Sequence, residues 1–480
     1  MNVETLGRVR MNLMLEELLR VEHVNQRNLE TGEGPAITGV TTDSRTVKPG
    51  DLFFALRGER YDGHRFVRDA MEKGAAAAIV EADAPLDRDN AMRGFPLLFV
   101  KNTVESLGKL ANLYRTRYSI PLIAITGSNG KTTTKDMIAA VLGSEFRILS
   151  TEGNLNNQIG LPLMLFRIES DHEVAVLEMG TNHFGEIKHL CTVAEPTHGL
   201  VTNIGRAHLE FFDSLEGVAR AKGEMFDWLS AAQGTNPVAF VNADDPLVRK
   251  ASEKVRNRIT YGFEFPEADV RGIYLGMDDE CRAKFEIKSE VLPIDEVIEL
   301  NVVGRHAVES ALAAVAVGLK FEVRPERIKT SLEQFRPLQR RMEILKEGGV
   351  TILNDTYNSN PDSAIAALKT LASMASGGRK VAVLGDMLEL GRSSSEEHAK
   401  VGVVLSDLGL EYLLTFGPHS SSTESSAKAL YSRHFDEKGD LILELLGLVK
   451  AGDVVLVKGS RGMQMEDVVN ALVEKLKNRS

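Results

Sequence analysis

The sequence predicts an α/β protein of three domains, with a central P-loop-type domain on a parallel sheet and a Rossmann-like domain at the C-terminal end. Three observations carry this expectation. A glycine-bearing loop, TGSNGKTTT at 126–134, joins an apolar strand to an amphipathic helix. Short apolar runs alternate with helical patterns through most of the chain, as in sheets covered by helices. Several later runs end at glycine, where loops leave the carboxyl ends of strands and ligands usually sit.

Taken in order, the first block is residues 1–118. It mixes strand-like runs (DLFFAL, AAAAIV, PLLFV) with turn-rich connections. The second block, 119–337, opens with the strand at 120–125. Met137, Ile138, Val141 and Leu142 then recur at three- and four-residue intervals, one face of a helix. EVAVLEM, HGLVTNI, PVAFVNA and RITYGF are its further strand candidates, and Val308, Leu312 and Val315 mark another helix. A polar, proline-containing passage at 324–337 sets the second boundary. The third block, 338–480, contains VTILND, a helix opened by Asn360 and Pro361, then KVAVLGD, YLLTFG and DVVLVKGS, with glycines at Gly385, Gly417 and Gly459. The polar run SSSTESS at 420–426 reads as a mobile surface loop.

Composition narrows the function classes. A chain of 480 residues is too long for one core. The net charge of −11 argues against a general nucleic-acid or membrane-surface binder, so an anionic ligand must be drawn by local groups. Two cysteines, Cys191 and Cys281, lie far apart without metal-ligand spacing, which suits a reducing compartment. The N-terminal stretch carries charges throughout, and nowhere do 18 apolar residues run together. A cytoplasmic protein with no membrane span is expected.

The loop is the centre of the chemistry. Gly127, Ser128, Asn129 and Gly130 would turn backbone N–H groups and a helix N-terminus toward an anion. Lys131 adds a point charge, Thr132 a hydroxyl that can ligand magnesium, and Thr133 lies in the same first turn. A Gly-Lys turn on an exposed loop is the competing reading, and the flanking strand and helix favour the nucleoside triphosphate. Three more polar residues follow: Glu178 at the end of EVAVLEM, His208 beyond HGLVTNI, and Lys222 in VARAKGEMF. Singly, each is as readily a satisfied loop residue or a solvated charge.

In order along the chain, these strings resemble the Mur ligase family of ATP-dependent, amide-forming enzymes. TGSNGKTT looks like the family's ATP loop. GNLNNQIGLP (153–162), LEMGTNHFGEI (177–187), NDTYNSNPDS (354–363), VLGDMLELG (383–391) and VLVKGSRG (455–462) look most like the member that adds D-alanyl-D-alanine. The resemblance implies ATP and Mg2+ as cofactors, with Thr132, Glu178, His208 and Lys222 at the metals, Lys222 as a carbamate. It also implies catalytic roles for Lys131, His208, Lys222 and Arg341, with Arg341 at the terminal phosphate and Asp355 near the ribose. UDP-N-acetylmuramoyl-tripeptide and D-alanyl-D-alanine are the implied partners of an enzyme of peptidoglycan precursor synthesis, expected to be a monomer. TTDSRTVKPGDLFFALRGERYDGHRF (41–66) is similar to the UDP-sugar-binding domain. There Ser44, Arg45, Asp62, Gly63 and His64 fit either a sugar-nucleotide contact or ordinary turn chemistry. Asn358, Asn360 and Asp386 are implied near the acceptor, although Asn360 before Pro361 reads first as a helix cap.

The chain departs from the family in places. Ala307 and Ser310 stand where two asparagines near the adenine are typical, Arg340 where glycine is usual, and Gln158 where glutamate is common. The alternatives are a sibling ligase that adds a diamino acid, folylpolyglutamate synthase, or a nucleotide-binding homologue without catalysis. The sibling's Asp-Asn-Pro-Arg signature is absent, and the UDP-sugar-like segment speaks against the synthase.

Overall fold

The computed structural model describes residues 8–14, 25–27, 36–58, 61–88, 92, 94–232, 236–278, 282–289, 294–374 and 377–478. Cys281 and most of the charged N-terminal stretch lie outside the described residues. Two compact units are formed, one of 1–124, 146–180 and 185–198, the other of 125–145, 181–184 and 199–480.

In the first unit the runs DLFFAL, AAAAIV and PLLFV become Asp51–Phe54, Ala77–Glu81 and Leu97–Val100. They are the inner strands of a six-stranded sheet and pair in parallel. Leu52, Phe53 and Phe54 are all buried, so the sheet is covered on both faces, which is why the sequence is continuously apolar there instead of alternating. Arg8–Met14 and Asn25–Arg27 close its edges in antiparallel fashion. The helix Thr103–Arg115 begins at Asn102, whose side chain accepts from the N–H groups of Val104 and Glu105, satisfying donors that a helix start leaves open.

The central sheet has nine strands. Its phosphate-loop strand is Leu122–Thr126, and the segments Val174–Glu178, His198–Val201, Val238–Asn242 and Asn257–Gly262 realise the four further runs anticipated. Beyond Asn257–Gly262 the sheet continues through Val270–Met277, Ala283–Ser289 and Ile294–Leu300, the last two joined antiparallel. These three partly exposed strands have no apolar run to announce them. Met137, Ile138, Val141 and Leu142 all point inward from the helix Lys131–Leu142, and Val308, Leu312 and Val315 do so from Arg305–Lys320.

The C-terminal sheet has six strands, in the order Glu343–Glu347, Val350–Asp355, Val454–Lys458, Lys380–Gly385, Tyr412–Phe416 and Tyr431–Phe435. The first pair is antiparallel and the remainder parallel. Successive residues feed opposite cores: Leu353, Ala382 and Leu384 pack on one face, Ile352, Val381 and Val383 on the other. This is the period-2 geometry of strands, with apolar side chains required on both sides.

Two local readings need correction. SSSTESS is a helix, Ser421–Ser426, in which Thr423 is buried and its hydroxyl donates to His398 O at 3.0 Å. Packing against the helix Ser394–Asp407 overrode the run's polar composition. The passage after Arg324 likewise holds the helix Pro325–Gln334, with Pro325 in the first turn and Ile328 and Leu332 buried, as proline is favoured at that position.

Candidate active site

The phosphate loop fills the gap between strand Leu122–Thr126 and helix Lys131–Leu142. Its two glycines are there for steric reasons. Gly127 has φ 147°, and a Cβ on it would lie 1.9 Å from Thr202 Oγ1. Gly130, at φ 78°, turns the chain into the helix, a conformation that other residues adopt at a cost.

The loop is braced from beneath by residues 202–205. Asn203 O accepts from Ser128 N–H at 2.9 Å, and Asn203 Oδ1 from Asn129 N–H at 3.0 Å. The Thr202 hydroxyl donates to Asn129 O at 2.6 Å, and Gly205 N–H donates to Ser128 Oγ at 2.8 Å. Asn203 was not singled out from the sequence; its place directly after the strand HGLV, in NIGRAH, was the available signal. Lys131 Nζ donates to Gly127 O at 2.8 Å, which lays its ammonium across the loop. Thr132 is buried at the helix start, with Thr133 after it.

Lys222 lies on the helix Leu215–Ala231, 2% exposed. Loss of water holds its ammonium well below the usual lysine value, and Lys131 nearby pushes it lower. No anion among the described residues offsets either effect, so both act against the charged form.

His208 follows the bracing segment at φ 56° and stands just before the short helix Leu209–Phe212. Its Nδ1 is 2.6 Å from Glu389 Oε2, yet it makes no aligned hydrogen bond. His208 holds the Glu389 carboxyl below the usual carboxylate range.

The C-terminal candidates fall into two groups. Asp355 accepts from Lys458 Nζ at 2.6 Å and from Met342 N–H at 3.1 Å, and Asn358 O takes a second bond from Lys458 at 2.9 Å. Lys458, buried at the end of its strand, is thus a site residue that the reading of single positions passed over. Arg341 lies beside this group, its guanidinium 3.8 Å from the centre of the Tyr357 ring. Asn360 caps the helix Pro361–Ser373 in a reciprocal capping box with Ser363, as its sequence setting suggested. It also reaches the phosphate loop, donating from Nδ2 to Asn129 Oδ1 at 2.8 Å. Asp386 is separate: buried, it accepts from the N–H groups of His419 and Ser420 and holds the turn after Tyr412–Phe416. Ala307 and Ser310 are both buried on Arg305–Lys320, and a Cβ on Gly130 would lie 3.5 Å from Ser310 Oγ.

In the first unit Glu178 is buried at its strand end. Its N–H donates to Thr151 Oγ1 at 2.9 Å, and Oε1 accepts from Asn156 Nδ2 at 2.8 Å. Arg45 is paired with Asp43 at 2.7 Å, and Ser44 O accepts from Lys73 Nζ. His64 Nε2 accepts from Glu81 N–H at 2.9 Å, so its Nδ1 carries the proton toward Asp62, 2.6 Å away, across Gly63. These five residues therefore lie in two hydrogen-bonded turns, one at Asp43–Thr46 and one at Asp62–Phe66.

Comparison with known proteins adds an independent finding. Three family descriptions match the chain: Mur ligase family, catalytic domain (36–115), Mur ligase middle domain (125–318) and Mur ligase, glutamate ligase domain (340–461). The UDP-N-acetylmuramoyl-tripeptide–D-alanyl-D-alanine ligase of Bacillus subtilis (strain 168) is 36% identical, covering 92% of this chain and 94% of its own. That of Escherichia coli (strain K12) is also 36% identical, with 92% and 95% covered. Among solved structures, MurF from Acinetobacter baumannii superposes with a TM-score of 0.87 at 31% identity, covering 97% of this chain and 99% of that one. The MurF ligase from Thermotoga maritima in complex with ADP gives 0.81 at 29%, covering 92% and 98%.

Proposed function

The chain belongs to the Mur ligase family, and on that premise we propose that it joins D-alanyl-D-alanine to UDP-N-acetylmuramoyl-tripeptide. It is an ATP-dependent ligase of peptidoglycan precursor synthesis. The observation that carries this reading is the full-length likeness to ligases of that specificity, together with a braced phosphate loop whose Lys131 lies near a buried, anion-less Lys222.

The chemistry has two steps. The tripeptide carboxylate attacks the terminal phosphate of ATP, which gives an acyl phosphate and ADP. The dipeptide amine then adds to the acyl carbon, and the tetrahedral adduct expels phosphate to leave the amide. Bringing anions together demands charge neutralisation and positioning more than covalent help. The loop N–H groups of 127–132 and the helix N-terminus hold the phosphates. Lys131 exchanges its loop carbonyls for phosphate oxygens, and Arg341 leaves the Tyr357 ring for the terminal phosphate. Asp355, with Lys458, is assigned to the ribose side, and Asn358, Asn360 and Asp386 to the acceptor domain. Ser44, Arg45, Asp62, Gly63 and His64 shape the turn assigned to the UDP-sugar.

Magnesium is a hard cation that prefers oxygen ligands; the Thr132 hydroxyl and a Lys222 carbamate would offer oxygens, and the His208 imidazole a nitrogen. Thr132, His208 and Lys222, all in the larger unit, are assigned to it; Glu178, in the smaller unit, is a metal-ligand candidate by itself. Magnesium, when bound, neutralises phosphate charge. A plain Lys222 ammonium would repel it, whereas a buried neutral amine is the form that adds carbon dioxide, and the resulting carbamate has the favourable sign. ATP and a nucleotide-linked substrate place the work in the cytoplasm, and one chain carries every residue named.

The test is phosphate release from ATP with UDP-N-acetylmuramoyl-tripeptide, comparing D-alanyl-D-alanine, meso-diaminopimelate, L-lysine and no acceptor. Release with the dipeptide, and a product heavier by one dipeptide, is expected. Release only with a diamino acid would move the chain to a sibling activity.

A further inference from the structure

The loop that presents His208 is gripped by carboxylates of the C-terminal domain, all within the larger compact unit. Asp362, in the first turn of helix Pro361–Ser373, accepts from Arg206 N–H with Oδ2 at 2.6 Å, and its Oδ1 lies 3.5 Å from Arg206 Nη1. Glu397, on helix Ser394–Asp407, has one carboxylate oxygen on Lys400 at 2.7 Å; the other, buried and without a hydrogen bond, is 4.0 Å from Arg206 Nε. Glu389 approaches His208 Nδ1 to 2.6 Å, and its carbonyl accepts from Glu210 N–H at 3.2 Å.

The backbone marks this contact as more than a surface ion pair. His208 has φ 56° and Glu389 φ 64°, left-handed conformations that non-glycine residues rarely adopt. Two strained residues meeting face to face, one from each domain, persist only where the surroundings over-determine them, and such strain gathers at functional sites.

We propose that Glu389, assisted by Asp362, is a positioning residue for the metal site: an acidic clasp that sets His208 in its ligating place when the C-terminal domain is seated. Metal binding and seating then reinforce each other, because a coupling between two sites is reciprocal. The proposal rests on the reading of His208 as a metal ligand.

The experiment uses the full chain with Mn2+ and ADP, read by pulsed EPR for imidazole nitrogen, by Mn2+ affinity, and by hydrogen exchange of the amides at 386–391. In the parent, a nitrogen signal that disappears in His208→Asn is expected, with Mn2+–ADP protecting the 386–391 amides. Glu389→Ala is expected to weaken Mn2+ binding about tenfold, as losses around a ligand do, to diminish the nitrogen signal and to abolish the protection. Glu389→Asp should restore part of each, and metal-free ADP binding should stay unchanged. Glu389→Gln, of the same size, replaces the alanine variant if that fails to fold. Parent-like affinity, signal and protection in the Glu389 variants would overturn the clasp alone. Absence of a nitrogen signal from the parent would overturn the metal reading of His208 and the clasp with it.

Discussion

Lys222 shows how burial and a nearby like charge act together on one residue. A lysine stripped of water and placed near a second lysine is unfavourable as a cation. We expect the intact protein, weighed under native conditions, to be heavier by one carbon dioxide, and a mass without that addition would refute the carbamate. Lys222→Met should keep the fold, as judged by thermal melting, and lower phosphate release about a hundredfold or more. Glu309 carries a different signature. Burial pushes its carboxyl up to about 7, with Arg305 pulling it back, although the side chain keeps 43% of its surface. A carboxyl raised above its unfolded value of about 4.3 favours the fold fully below that pH and loses the contribution as pH rises through about 7. Glu309→Gln, which mimics the neutral form, should melt above the parent at pH 8, and the gap should close by pH 4.

At the scale of elements, the C-terminal sheet depends on one buried carboxylate. Asp453 accepts from Arg379 N–H at 2.9 Å, from Arg379 Nη2 at 2.7 Å and from Lys450 N–H at 2.9 Å, so it ties the starts of two parallel strands together. Burial alone would raise its pKa, but Arg379 and these backbone donors outweigh it and hold the carboxyl below the usual range. Its stabilisation is complete above about pH 3.9 and is lost as pH falls through the folded value. Asp453→Asn should cost about 1.5–3 kcal/mol by urea unfolding at pH 7, and the difference should shrink in acid. The strands of this sheet were legible because each is a short apolar run, buried on both faces. The helix Ser421–Ser426 was not, because its residues are all Ser, Thr and Glu and its packing against Ser394–Asp407 and the neighbouring strands orders it. The strands Val270–Met277 and Ala283–Ser289 escaped for the complementary reason: glycine and charge interrupt their pattern.

For the whole molecule, the residues proposed for the sugar nucleotide and the loop residues proposed for the phosphates fall in different compact units. Ser44, Arg45 and His64 belong to one, and Lys131, His208, Lys222 and Arg341 to the other. Lys131→Ala should therefore abolish ATP-driven phosphate release while leaving the affinity for UDP-N-acetylmuramoyl-tripeptide, measured by calorimetry without nucleotide, within about twofold, as for independent sites. A large loss of sugar-nucleotide affinity would show that the loop lysine supports both ligands. The Asn360–Asn129 bond brings the C-terminal domain directly to the phosphate loop, and the carboxylates on Arg206 and His208 bring it to the bracing segment.

What the sequence by itself determined is local. The phosphate loop, its glycines, the helix behind it and the cap at Asn360 all follow from backbone sterics and hydrogen bonds that act over a few residues. So do the strand runs, whose apolar pattern records burial directly. The tertiary structure alone decided that Asn203 would underlie the loop, that Lys458 would hold Asp355, that Lys222 would be dry, and that Glu389 would face His208. Each of these depends on which distant segments the packing brings together, and on how much water that packing removes, and neither quantity is written in the spacing along the chain.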